Sequence, residues 1–269
     1  MHAVKQLVGS RELLWNLTLR ELRTKYRHSL LGWSWSLLNP LTTAALYGFV
    51  FGILFNAVAP LGTNSGLSGF AYFLLCAVIP WNFFSMIVNT GMGSITGNPG
   101  LVRRVSFQRE VLVFSNVLHG LVQASIELTM LVIVMLIAGS PIIPYLPVVA
   151  LLTIFLALFG AGIGLVLSAL AVYFKDLTYL WGIVMQVWFF MTPIVYAPEI
   201  LDDALPGWVL TVLDANAMAH YVAAFRDALF HAQVPNTTDL LFCVGAAGLT
   251  LAWGWAAFTR LGRRLPEEV

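Results

Sequence analysis

Ser115, His119, Gln123 and Glu127 recur every fourth residue through an otherwise apolar stretch, a spacing that lines them up on one face of a helix. A carboxyl held in an apolar medium costs several kcal/mol unless it is paired, hydrated or protonated. The stripe therefore has two readings, a polar lining for a hydroxyl-rich substrate or a hydrogen-bonded seam between helices. Two aromatic runs, Trp81 with Phe83 and Phe84, and Trp188 with Phe189 and Phe190, also lie far from any charge. Rings there either pack a core or offer a stacking surface. Asp202 and Asp203 are adjacent carboxylates, but on a Pro-flanked loop they read as a solvated edge rather than an acid/base pair. The histidines at 2, 28, 119, 220 and 231 show no ligand spacing, so no metal site is expected. No GxxxxGK(S/T) loop occurs, so no nucleotide is hydrolysed on this chain and no enzymatic function is expected of it.

The elements that carry these residues follow from composition. Of 269 residues, 59% are hydrophobic and 10% charged, with a mean hydropathy of +0.84. Soluble domains carry about a quarter charged residues, so the chain belongs in a membrane. Its net charge of +1 gives no reason to expect a nucleic-acid partner. Cys76 and Cys243 lie in apolar runs, which speaks against a disulfide framework, and residues 1–30 carry six basic residues without a continuous apolar core, so no cleavable signal is expected.

Gaps between charges mark the spans. No Asp, Glu, Lys or Arg occurs from 28 to 102, and a Gly/Asn/Ser-rich segment, Gly62 to Gly69, divides that gap. A bilayer core needs about 20 helical residues, so the gap holds spans at 36–56 and 70–91. Four more follow at 111–138, 148–172, 177–198 and 240–259, with a kink expected at Pro193. Thirteen of the fourteen basic residues flank one end of these spans. Arg226 alone lies with the acidic group Glu199, Asp202, Asp203, Asp214, Asp227 and Asp239. The positive-inside rule then places both termini in the cytoplasm. The segment from Glu199 to Asp239 is too apolar for a loop and too broken for a span, so it is read as dipping into the membrane from outside.

Before the first span, Trp15, Leu19, Leu22 and Tyr26 share one helical face, while Asn16, Arg20, Arg23 and Arg27 share the opposite one. Such a helix lies in the interface, either as an anchor or as a docking element. In GNPGLVRRVSFQRE, residues 97–110, Asn98 suits an N-cap and Pro99 the first helical position, giving a short basic helix with Arg103, Arg104 and Arg109. It is either a connector or an insert for a cytosolic motor.

RELRTKYRHSLLGWSWSLLNP (20–40), IPWNFFS (79–85), the NPGLVRRVSFQRE loop, YFKDL (173–177), FFMTPIVY (189–196) and AFRDAL (224–229) in this order resemble the permease subunits of type-2 ABC exporters, specifically those moving lipid-linked polysaccharides such as O-antigen, teichoic acid and galactan. The resemblance departs from the family at Lys175, usually Arg, and at Ala217, usually Pro after Asn216. It implies an all-α permease of six transmembrane helices. A single domain over 1–269 would comprise an interfacial helix (1–30), the bundle (36–259) and a cytoplasmic tail (260–269). It further implies two copies around a channel in the inner membrane and two copies of a separate subunit that binds ATP and magnesium. Leu101, Arg103, Arg104, Phe107, Arg109 and Glu110 would couple to that ATPase, and Trp15, Arg20, Arg23, Tyr26 and Arg27 would form the interfacial helix. Sugar rings stack their C–H faces on aromatic planes, so Trp81, Phe84, Trp188 and Phe190 are the expected substrate path. Glu127 joins them on physical grounds alone. A permease for a small drug or lipid, or a membrane transferase acting on lipid-linked sugars, are the alternatives.

Overall fold

The computed structural model describes residues 11–25, 32, 34–54, 60–104, 107–197 and 206–261. Among the described residues every regular element is helical. Helix α1 spans Arg11–Lys25, α2 Ser34–Tyr47 with a π-helical continuation over Gly48–Leu54, α3 Phe70–Met92, α4 Pro99–Arg104 and α5 Glu110–Ile137. Then come α6 Leu146–Tyr173, α7 Leu177–Met191, α8 Gly207–Asp214, α9 Ala217–Leu229 and α10 Thr237–Leu261. Helices α3, α5 and α10, and α6 with the 3-10 turn before it, are long and apolar enough to cross a bilayer. The 23 residues of α3 rise about 34 Å, against a hydrocarbon core of about 30 Å. The apolar stretch Pro40–Leu54 and α7 are shorter.

Helix α7 ends seven residues before the expected close of its span. Pro193 has no N–H to donate, and it forces the preceding residue out of the helical region. Thr192 is accordingly extended, with φ −97° and ψ 132°. The proline ends this helix instead of kinking it.

Helix α3 is the centre of the bundle. Residues Phe73 through Trp81 are buried without a break, and α5, α6 and α9 pack around them. Helix α10 packs along α6, where small residues let two backbones touch. A Cβ on Gly254 would run into the carbonyl of Gly162.

A second apolar cluster fills the end of the bundle that carries the basic residues. Leu17 of α1, Val102 of α4, Val111 to Val113 of α5, Leu165 and Ala169 of α6 and Phe258 of α10 meet there. Helix α1 is thus more than a two-faced interfacial helix. Trp15 is exposed, Leu19 and Leu22 are half-buried, and Arg20 and Arg23 are exposed, while Leu17 and Thr18 are buried against α5. Tyr26 and Arg27 lie outside the described residues, as do Asp202, Asp203 and the tail beyond 261.

The short basic helix starts at Pro99 as expected and ends at Arg104. Arg109 does not belong to it. The N–H of Val111 donates to the carbonyl of Gln108, and that of Leu112 to Arg109, so Arg109 sits in the opening turn of α5.

Candidate functional site

Trp188 of α7 is the hub of an aromatic cluster drawn from four helices. Its ring stands edge-on to Phe84 at 5.2 Å between centroids, and to Trp81, Phe159 and Trp181 at 6.4 Å each. Behind it Phe84 stacks on Phe159 at 5.2 Å and 18°, and Phe159 meets Tyr221 of α9 at 5.6 Å. Edge-on and offset geometries of this kind are the favoured aromatic contacts.

The four expected path aromatics separate by depth within the cluster. Trp81 and Phe84 are buried inside the subunit, Trp188 is half-buried at the margin, and Phe190 is 59% exposed. Trp81 supports the surface rings, touching Trp188 and Phe189, which in turn meets Phe190 edge-on at 5.3 Å. Around Phe190 the outer face of α7 is apolar and uncovered within this chain, with Tyr179, Leu180, Ile183 and Val187 each more than half exposed.

The broken end of α7 is capped from α9. A helix leaves its last carbonyls without intrahelical donors; Asn216 supplies one at Met191, and Arg226 binds the two carbonyls just beyond the break. Arg226 donates from Nη1 to the carbonyl of Pro193 at 2.5 Å and from Nη2 to that of Ile194 at 2.6 Å, with its guanidinium 3.6 Å above the ring of Phe73. Charge-assisted bonds and the cation–π contact hold this buried cation in place. Asn216 acts at the other end of α9. Its Oδ1 accepts from the N–H of Met218, capping α9, and from the indole Nε1 of Trp188 at 2.8 Å. Its Nδ2 donates to Oγ1 of Thr192 at 3.0 Å and to the carbonyl of Met191 at 3.3 Å. Ala217, the departure from the family pattern, occupies the first helical position after that cap. Proline is tolerated there because the N–H is unpaired in any case, so alanine leaves the helix start unchanged.

The polar stripe of α5 faces inward. Ser115, His119 and Glu127 are buried; Ser115 donates to the carbonyl of Leu112, and Gln123 donates to Oε1 of Glu127 at 3.0 Å. Gly120, next to His119, lies against Ile87, Met86 and Phe83, so this side of α5 packs on α3.

At the basic end, Arg20 of α1 donates to Oδ1 of Asn98 at 2.8 Å and to Oε1 of Glu21 at 2.7 Å. Asn98 immediately precedes α4, so α1 and α4 are joined. Arg103 is exposed on α4, Leu101 and Phe107 lie half-buried against the second cluster, and Arg109 and Glu110 open α5. Arg104 closes α4.

The ABC-2 type transporter family profile matches residues 12–230, which takes in α1 through the end of α9. The chain belongs to that family. It is similar over nearly its whole length to transport permeases. The O-antigen export system permease protein RfbA of Myxococcus xanthus is 27% identical over 253 residues, 93% of this chain and 92% of that protein. The protein of the same name from Klebsiella pneumoniae is 25% identical, covering 95% and 94%. The polysialic acid transport protein KpsM of Escherichia coli is 25% identical, covering 90% of each. The chain is a membrane transport subunit and not an enzyme, and its family implies a partnering ATP-binding subunit.

Sequence reasoning passed over Asn216 and gave Arg226 no role. The signals were present: Arg226 is the lone base among the acidic residues, and Asn216 stands where a helix begins. Their partners at the end of α7 lie 24 to 33 residues earlier, beyond the reach of local pattern.

Proposed function

We propose that this chain is the membrane subunit of an exporter that carries a lipid-linked polysaccharide out of the cytoplasm, powered by a separate subunit that binds ATP and magnesium. The observation that carries the reading is the near full-length similarity to permeases named for O-antigen and polysialic acid export. The aromatic margin at Trp188 and Phe190 supports it. A polymer that must keep sliding needs many weak stacking contacts, because a tight ionic site would hold each repeat.

The assembly is two copies of this chain with two ATPase subunits in the inner membrane. The uncovered apolar face of α7 supports a second copy there, which would set Phe190 and Trp188 beside a shared lumen with Trp81 and Phe84 as their backing. Pro40–Leu54 and α7 complete six spans with both termini cytoplasmic. Helices α8 and α9 form the external hairpin, and α4 docks on the ATPase through Arg103 and its neighbours.

Deletion of the chain in its host tests the function. Surface polysaccharide should disappear while lipid-linked polymer accumulates inside, and the unsubstituted chain should reverse both. Unchanged surface polymer, with altered drug or lipid efflux, would overturn the reading.

A further inference from the structure

We propose that Asn216 is a positioning residue of the substrate path: its one carboxamide sets the indole of Trp188, the broken end of α7 and the start of α9 in a single register. The inference rests on the export reading above, since it gives Trp188 a place beside the polymer.

The geometry leaves the carboxamide little freedom. Oδ1 has two acceptor sites, taken by the N–H of Met218 at 3.1 Å and the indole N–H of Trp188 at 2.8 Å. Nδ2 has two donor sites, aimed at Oγ1 of Thr192 and at the carbonyl of Met191. Every bond Asn216 can make is therefore made to a different group, three of them on α7 or its break. Thr192 closes the loop by donating from Oγ1 to the carbonyl of Trp188 at 2.9 Å. A tryptophan ring with a satisfied N–H and four aromatic neighbours has one orientation available to it. Without the acceptor, the indole would be left with an unpaired donor in an apolar cluster, and turning the ring toward another acceptor would disturb its contacts with Phe84 and Trp81.

Arg226 grips the same break from the other end of α9, so α9 and the end of α7 form one body held at two points. The consequence for export is mechanical. Any opening of the outer end of the path that moves α9 carries Trp188 with it, and the stacking surface stays aligned with the hairpin.

The test uses the full chain with its ATPase in native membranes and has two readouts. The first is the indole N–H Raman band of Trp188, isolated by difference against Trp188→Phe. Asn216→Ala should shift that band to the unbonded position, whereas Asn216→Asp should leave it bonded, because a carboxylate accepts from both Trp188 and Met218. The second is polymer export per folded chain. Asn216→Ala should lower it about tenfold, the scale of losing one buried hydrogen-bond partner, and Asn216→Asp should restore only part of it, because a carboxylate keeps the two accepted bonds and cannot donate to Thr192 or Met191. Trp188→Phe combined with Asn216→Ala should lose no more than either change alone.

An unmoved band in Asn216→Ala overturns the proposal, as does export at the unsubstituted level or losses that multiply in the double variant. If Asn216→Ala is not recovered folded, Trp188→Phe, which removes the donor together with the fused ring of the indole, carries the test, and undiminished export then overturns it. The band depends on no cargo. An unsubstituted chain that exports no polysaccharide would sink the export reading, and the band alone would then decide the clasp.

Discussion

Nδ1 of His220 lies 2.6 Å from Oδ1 of Asp239, and Nε2 of the same ring lies 2.7 Å from the backbone carbonyl of Asp214. Both partners are acceptors, so only the doubly protonated imidazolium satisfies them together. The ring also stacks on Phe242 at 4.0 Å and 16°. One charged side chain thus joins the end of α8, the body of α9 and the first turn of α10. The hydrogen bond to Asp239 is the chief cause that raises the pKa of His220 above its ordinary value; burial opposes it, and the carbonyl and carboxylate of Asp214 add to it.

A pH dependence of stability follows with a definite sign. The folded pKa of His220 is raised, so its contribution is fully present below the unfolded value of about 6.5 and is lost as pH climbs through the raised folded value. Melting of the purified chain should fall across that range. Asp239→Asn should flatten the curve by removing the charge that holds the proton. An unsubstituted chain with an equally flat curve would mean that folding does not raise the pKa of His220.

The seam between α6 and α10 gives a steric prediction. Gly254→Ala places a methyl against the carbonyl of Gly162, with backbone on both sides and no flexible side chain to yield. Overpacking of this kind costs about 1–3 kcal/mol, and a lower melting temperature should report it. Gly248→Ala is the control. It lies on the same helix with nothing within 4 Å of the added Cβ, and replacing an exposed helical glycine gains up to about 1 kcal/mol.

The long helices were legible because charge is excluded from an apolar span. Helix α3 runs Phe70–Met92 where the charge gap indicated 70–91, and α5 runs Glu110–Ile137 where it indicated 111–138. Thr192 was less legible, since a charge gap does not distinguish a proline that kinks a helix from one that ends it. The inward burial of Trp81 and Phe84 was not legible at all. Both readings of an aromatic run share one spacing, and only the packing of α6 and α7 against α3 separates them. The same holds for Thr18, which reads as a polar residue on a surface helix until α5 covers it.

Orientation can be tested with single cysteines. Cys76 and Cys243 are buried and should stay silent toward an impermeant thiol reagent. Ser68→Cys, exposed in the turn before α3, should label from outside intact cells. Lys175→Cys and Arg103→Cys, also exposed but at the basic end, should label only after the membrane is opened. Labelling of Lys175→Cys in intact cells would invert every loop.

Helix α4 gives the prediction on coupling. It rests on the second apolar cluster through Val102, its Arg103 is exposed, and Arg20 bonds to Asn98 just ahead of it, so a push on α4 is transmitted to both α1 and α5. The substitutions Arg103→Glu and Arg104→Glu reverse the basic charge of α4 and leave Val102, which packs in the cluster, in place. Paired charges at an interface steer association and reject like charge, so docking should weaken while the chain remains in the membrane. ATP hydrolysis should continue and export should stop. Arg20→Ala leaves the exposed charge of α4 in place and removes its tie to α1 along with the exposed Arg20–Glu21 pair, so it should retain ATPase binding and lose part of the export. Full export by the double charge reversal would show that the motor engages another surface. Loss of ATPase binding in Arg20→Ala would place α1 itself in the docking face.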